Sequence, residues 1–191
     1  SRSDFRGKKA ILLMYVFSML FFGGTIPIYI LMQSLHLLNT LWAVIVPFLV
    51  VQFNLFIMKT GFETVPSALE ESARIDGAGH VTIFSRIYLP LALPTIATIS
   101  LLYGVNYWNN YYHSMLFITK QNVKPLQLYL YELITSASML SSENAFESSM
   151  NLPSSGMQAA AIVLSMIPVI IFYLVCQRYL ISGMTIGSVK G

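Results

Sequence analysis

Four apolar runs, each about long enough to cross the hydrocarbon layer of a bilayer, decide most of what this chain can fold into. A spanning α-helix needs about 20 predominantly apolar residues. Residues 10–31 form the first run, interrupted only by Ser18, Gly23, Gly24, Thr25 and Pro27. Residues 41–58 form the second, broken by Pro47, Gln52 and Asn54. Residues 91–112 form the third, entered through Pro90 and Pro94, and residues 157–179 the fourth, which carries Pro168. In a bilayer the backbone groups that such prolines free must be satisfied by neighbouring helices or side chains. The expected fold class is an all-α membrane protein with four spans in this chain.

Composition closes off the alternatives. Only 10% of the 191 residues are charged and 55% are hydrophobic, against roughly 25% charged in soluble domains. A soluble enzyme domain needs a charged shell that 8 acids and 11 bases cannot supply. The net charge of +3 is spread along the chain, so it makes no nucleic-acid patch. Cys176 is alone, which excludes an internal disulfide framework, and a buried or lipid-facing thiol is expected. His36, His80 and His113 fall in separate segments with no pair at ligand spacing, so no metal site is expected. No serine, histidine and acid arrangement points to nucleophilic catalysis.

The bases set the orientation. Arg2, Arg6, Lys8 and Lys9 precede the first run, Lys59, Arg74 and Arg86 lie between the second and third, and Arg178 and Lys190 flank the end of the fourth. These are 9 of the 11 bases, and only Lys120 and Lys124 fall on the opposite side. Cationic loops stay in the cytoplasm, so the loop 59–90 and the tail 180–191 are expected inside. The turn 33–40 and the segment 114–156 are expected outside. In that outer segment residues 125–130 suggest a short surface helix, and the serine-rich 136–155, with Glu143 and Glu147, reads as a solvated loop.

The inner loop is the most informative stretch. Pro66 suits the first turn of a helix, Glu70 and Glu71 stand near its positive end, and Gly77 is a natural stop. Val81, Phe84, Ile87 and Tyr88 recur at helical spacing, so a second short helix is expected over 80–88. A compact helix–turn–helix at the membrane surface follows. Glu70, Glu71 and Asp76 sit in a wet loop, where a solvated or partner-facing role fits better than paired acid–base chemistry.

The run Glu71-Ser72-Ala73-Arg74-Ile75-Asp76-Gly77-Ala78, followed by Ile87-Tyr88-Leu89-Pro90 and Pro94, resembles the E-A-A…D-G-A…L-P signature of binding-protein-dependent ABC importer permeases. Ser72 in place of the first alanine is the one departure in its core. Pro27-Ile28-Tyr29, Leu37-Leu38-Asn39-Thr40, Trp108-Asn109 and the terminal Gly183 to Gly191 resemble elements of the carbohydrate-uptake branch, similar to the smaller permease subunit of the maltose importer. The segment from Phe117 and the tail look closer to the subgroup handling complex oligosaccharides. The resemblance implies a type I ABC importer transmembrane domain in the bacterial inner membrane. Because such permeases usually have about six spans, it also implies two helices before Ser1. The run near the start is too long for a signal peptide and lacks an A-x-A cleavage site.

The sequence G-x-x-x-x-G-K-[ST] does not occur. The chain is therefore expected to be a transport subunit without its own ATPase site. The resemblance implies two ATP-binding subunits that hold ATP and Mg, a second permease subunit and an extracytoplasmic solute-binding protein. Glu70, Glu71, Ser72, Ala73, Asp76, Gly77, Leu89 and Pro90 would form the ATPase-coupling loop, with Glu71 pairing to a base in the ATPase cleft. Gly187, Ser188, Val189 and Lys190 would face the ATPases from the tail. On the third run Tyr103, Asn106, Asn109 or Asn110, and His113 make a polar stripe suited to a translocation path. Trp108, Tyr111 and Tyr112 fit an interfacial aromatic belt or a stacking surface for sugar rings. A secondary carrier or channel would want charged residues buried within the spans, and the four runs hold none.

Overall fold

The computed structural model describes residues 7–143 and 154–187. All regular structure among them is helical: α1 (Lys8–Leu20), α2 (Thr25–Ser34), α3 (Trp42–Ile45), α4 (Gln52–Glu63), α5 (Ser67–Ile75), α6 (His80–Ile83), α7 (Leu89–Leu91), α8 (Leu93–Trp108), α9 (Tyr111–Phe117), α10 (Leu126–Glu143) and α11 (Ser154–Gly187). Short 3-10 turns cover Val46–Phe48 and Gln121–Val123, and a π-helical turn covers Phe84–Tyr88.

Three of the four apolar runs are each two helices, for reasons the side chains supply. In the first, Gly24 adopts φ +90° and Pro27 follows, so α1 stops at Leu20 and α2 starts at Thr25. In the second, Pro47 cannot donate to the preceding turn, and the helix is interrupted before Gln52. In the third, the ring of Pro94 would meet the Pro90 carbonyl, and 80–91 meets 93–108 at a bend of 73°. Only 158–179 is long and apolar enough to span alone; counting each broken pair as one span gives up to four.

The chain divides into two compact units. The first contains 1–22, 50–103 and 173–191. Within it α1 runs antiparallel to α4: Lys8 Nζ lies 3.7 Å from Glu63, and Gln52 Nε2 donates to Ser18 Oγ at 3.3 Å. Lys59, one turn before Glu63, donates to both its oxygens and holds that carboxyl below the usual carboxylate range. Asn54, Ile83, Ala92, Ile99 and Cys176 are buried.

The second unit contains 23–49 and 104–172. Its core is Met32, Ala43, Val44, Phe117 and Ile118, with Ile28, Leu37, Leu38, Phe48, Leu116 and Val123 packed against it. Asn39 fastens the 35–41 turn to the end of α9. Its backbone sits at φ +62°, a region asparagine tolerates better than most residues. Its N–H donates to the Phe117 carbonyl, and its side-chain oxygen accepts from the Thr119 N–H, the Thr119 hydroxyl and the Lys120 N–H at 2.7, 2.8 and 3.0 Å. The surface helix expected at 125–130 extends as α10 to Glu143, so 136–143 is helical rather than loop. Thr135 and Ser136 spend their hydroxyls on the carbonyls four residues back, which leaves the helix unbroken there. Lys124 anchors its start by donating to both oxygens of Glu132. Glu147 lies outside the described residues.

Candidate coupling loop and the polar residues of α8

The loop between α4 and α8 is built from its capping chemistry. Pro66 takes extended backbone, ψ 130°, immediately before α5 rather than inside its first turn. Glu70 lies in the first turn and Arg74 in the last, each complementing the helix dipole. At the far end Ala78 N–H returns to the Ala73 carbonyl at 2.9 Å and Gly77 N–H to that of Arg74 at 3.0 Å. With Gly77 at φ +79°, this is the Schellman closure, which requires a left-handed residue after the helix. The chain then re-enters helix at His80 as expected, but continues past Tyr88 to Leu91 through the π turn. Pro90 explains that turn: its ring would strike the Arg86 carbonyl in a tight α-turn, and the wider π register relieves the clash.

The two adjacent glutamates do different things. Glu70 is sheltered, its side chain 15% exposed, and accepts from Arg74 Nη2 and from the Tyr88 hydroxyl, each at 2.5 Å. Phe62 meets the rings of Phe84 and Tyr88 edge-on at 6.0 Å, closing the back of the loop. Glu71 and Ser72 face solvent, and Glu71 has no hydrogen-bond or ion-pair partner among the described residues. Ala73 is half-buried, while Asp76, Gly77, Leu89 and Pro90 are exposed. Ile75 is 87% exposed and Val81 80% exposed, one on each side of the Gly77 turn in the chain. Neither was singled out by sequence reasoning, although an apolar residue beside the signature glycine is visible in the sequence.

The polar stripe of the third run does not survive as one face. α8 ends at Trp108, and Asn110 takes the cap position of a new helix, accepting from the His113 N–H at 3.3 Å and lying 2.8 Å from His113 Nδ1. His113 therefore stands on α9, against Phe48, instead of continuing the α8 stripe. Tyr103 is spent on backbone: its hydroxyl accepts from the Val51 N–H at 3.0 Å, beside the break in the second run. Tyr107, which spacing did not pick out, donates to the Ile45 carbonyl at 3.1 Å. Trp108 donates through Nε1 to the Ser165 carbonyl at 3.0 Å, one turn before Pro168, and lines a cavity of about 130 Å³ with Gly104, Val105, Pro168, Val169 and Phe172. Tyr111 stacks on Tyr131 at 4.7 Å, and Tyr112 is exposed. Asn106 and Asn109 are the exposed polar residues left on this stretch. Gly187 is the last residue of α11, and Ser188, Val189 and Lys190 lie outside the described residues. Among the described residues no cluster of histidine, cysteine and acid could hold a metal.

Residues 8–186 match the family described as the binding-protein-dependent transport system inner membrane component. The chain belongs to that family. The family's own description makes it an inner membrane permease component of a transport system that has other subunits. The permease resembles relatives along its whole length: it is 42% identical to the polygalacturonan/rhamnogalacturonan transport system permease protein YtcP of Bacillus subtilis, covering 100% of this chain and 67% of that one. It is 40% identical to Protein LplC of the same organism, covering 97% of this chain and 63% of the relative. A crystal structure of a bacterial ABC transporter importing the acidic polysaccharide alginate matches with a TM-score of 0.79 at 33% identity, covering 94% of this chain and 64% of that one. The permease chain thus spans roughly two thirds of the length of the proteins it matches, or slightly less.

Proposed function

We propose that this chain is a permease subunit of an ATP-driven importer for an oligosaccharide, coupled to a partner ATPase through residues 66–90. The observation that carries the coupling is the solvent-facing set of Glu71, Ile75 and Val81 on a loop otherwise closed by its own hydrogen bonds. Two isolated aliphatic side chains that exposed cost stability in water and gain about 1.5–3 kcal/mol each when fully covered. An unpaired carboxylate beside them suits a basic residue on the covering surface. The covering partner is an ATP-binding subunit, present in two copies with its own ATP and Mg, and this chain has no ATPase site of its own. A second permease subunit and an extracytoplasmic solute-binding protein complete the system.

The substrate is an acidic oligosaccharide. The 42% identical relative is named for polygalacturonan and rhamnogalacturonan, and the structural match imports alginate; both glycans carry carboxylates. Asn106 and Asn109 are the residues of α8 free to face a translocation path, since Tyr103 and Trp108 are committed to backbone groups. The tail Gly187–Lys190 reaches toward the ATPases. Uptake of labelled oligogalacturonides, set against a neutral oligosaccharide of equal length in a strain lacking the gene, tests the reading. Complementation by the gene with the acidic sugar alone is expected. Equal restoration of both overturns the acidic assignment, and restoration of neither, with amino-acid or peptide uptake recovered, overturns the sugar.

A further inference from the structure

Glu70 and Tyr88 are 18 residues apart, yet the tyrosine hydroxyl donates to Glu70 Oε2 at 2.5 Å while Arg74 occupies Oε1. Glu70 belongs to α5, the helix that would seat on the ATPase. Tyr88 closes the π turn that leads into Leu89, Pro90 and the bend at α8. Between these points the chain passes through the Gly77 turn, a single left-handed hinge that transmits little on its own. The hydrogen bond therefore bypasses the hinge. A carboxylate only 15% exposed, holding a phenol on one oxygen and a guanidinium on the other, makes a charge-assisted contact that resists rotation of α5 about the turn. Phe62 braces Tyr88 from behind, which keeps the phenol from swinging away.

We infer that the Glu70–Tyr88 pair is the positioning contact through which movement of α5 reaches the α8 span, so that Glu71 grips the partner and Glu70 transmits. The inference rests on the coupling role proposed above. Its signature is the amount of ATP hydrolysed per solute imported, a ratio that loss of protein or of assembly leaves unchanged because both rates fall together. The complete importer in proteoliposomes, with binding protein and oligogalacturonide, supplies both rates. In Tyr88→Phe and in Glu70→Ala, uptake is expected to fall further than ATP hydrolysis, raising the ratio roughly fivefold or more. The double variant is expected to add nothing beyond either single one, because both remove the same contact. An unchanged ratio, additive effects, or absence of Tyr88→Phe from the membrane would overturn the inference and make the pair a folding contact. A wild-type complex that hydrolyses ATP without uptake would remove the functional reading itself, and this inference with it.

Discussion

Gly61 and Thr95 bring α4 and α8 together so closely that a Cβ on Gly61 would lie 2.5 Å from Thr95 Oγ1, 2.6 Å from its Cγ2 and 2.8 Å from its Cβ. The nearest atoms include the branched carbon next to the backbone, so rotation of one side chain cannot make room. Small residues at such crossings let helix backbones approach where lipid gives little driving force for association. Gly61→Ala is expected to destabilise the chain by about 1–3 kcal/mol, the usual range for overpacking. Membrane abundance and detergent-solubilised thermal stability would register it. Adding Thr95→Gly should recover most of the loss, and failure of that double variant to recover would show that the approach is not the cause.

Gly77 offers a graded test of the loop. At φ +79°, an alanine costs about 1–2 kcal/mol. Proline cannot reach that angle at all and would also remove the N–H given to the Arg74 carbonyl. Gly77→Ala is therefore expected to retain partial uptake and Gly77→Pro none, both with near-normal protein in the membrane. Equal uptake in the two would mean that the Schellman closure is dispensable.

Much of this loop was legible in the sequence because its signals are local. Proline before a helix, acids in its first turn and a left-handed glycine after it act within a few residues, and the signature from Glu71 to Ala78 sits on that frame. The division of labour between Glu70 and Glu71 was not legible. Neighbouring glutamates look alike until the fold brings Tyr88 to one of them. The polar stripe on the third run failed for a related reason. Periodicity locates a face but not the demand upon it, and here the broken second run presented an N–H at Val51 and a carbonyl at Ile45 that Tyr103 and Tyr107 answer. The glycines and prolines that break the runs were visible, but a sliding count of apolar residues treats them as interruptions rather than ends.

The turn held by Asn39 is expected to be the most sensitive point of the second unit. Asn39→Ala removes an acceptor shared by three donors and places alanine at φ +62°. At about 1 kcal/mol per net hydrogen bond, with partial compensation by water at this exposed site, the loss should be about 2–3 kcal/mol. Asn39→Gly would separate the terms, since it relieves the backbone angle yet still lacks the acceptor. Limited proteolysis after Lys120 and Lys124 is the measurement, and faster cleavage is expected in Ala, then Gly, then wild type.

Glu71 decides whether the exposed side of α5 is a grip or merely a wet surface. Its carboxylate contributes nothing visible to the loop's own bonding, whereas Glu70 is engaged twice. Reversing its charge should leave the fold almost untouched, because surface substitutions away from packed features stay within about ±0.5 kcal/mol. Against a basic site on a partner the same change introduces repulsion and leaves a charge unpaired, which costs about 2–5 kcal/mol at an interface. Glu71→Lys is therefore expected to keep normal membrane levels while losing ATPase co-purification and uptake together. A compensating acidic substitution on the partner's facing base should restore both. Wild-type uptake in Glu71→Lys would show that nothing grips this side of the helix.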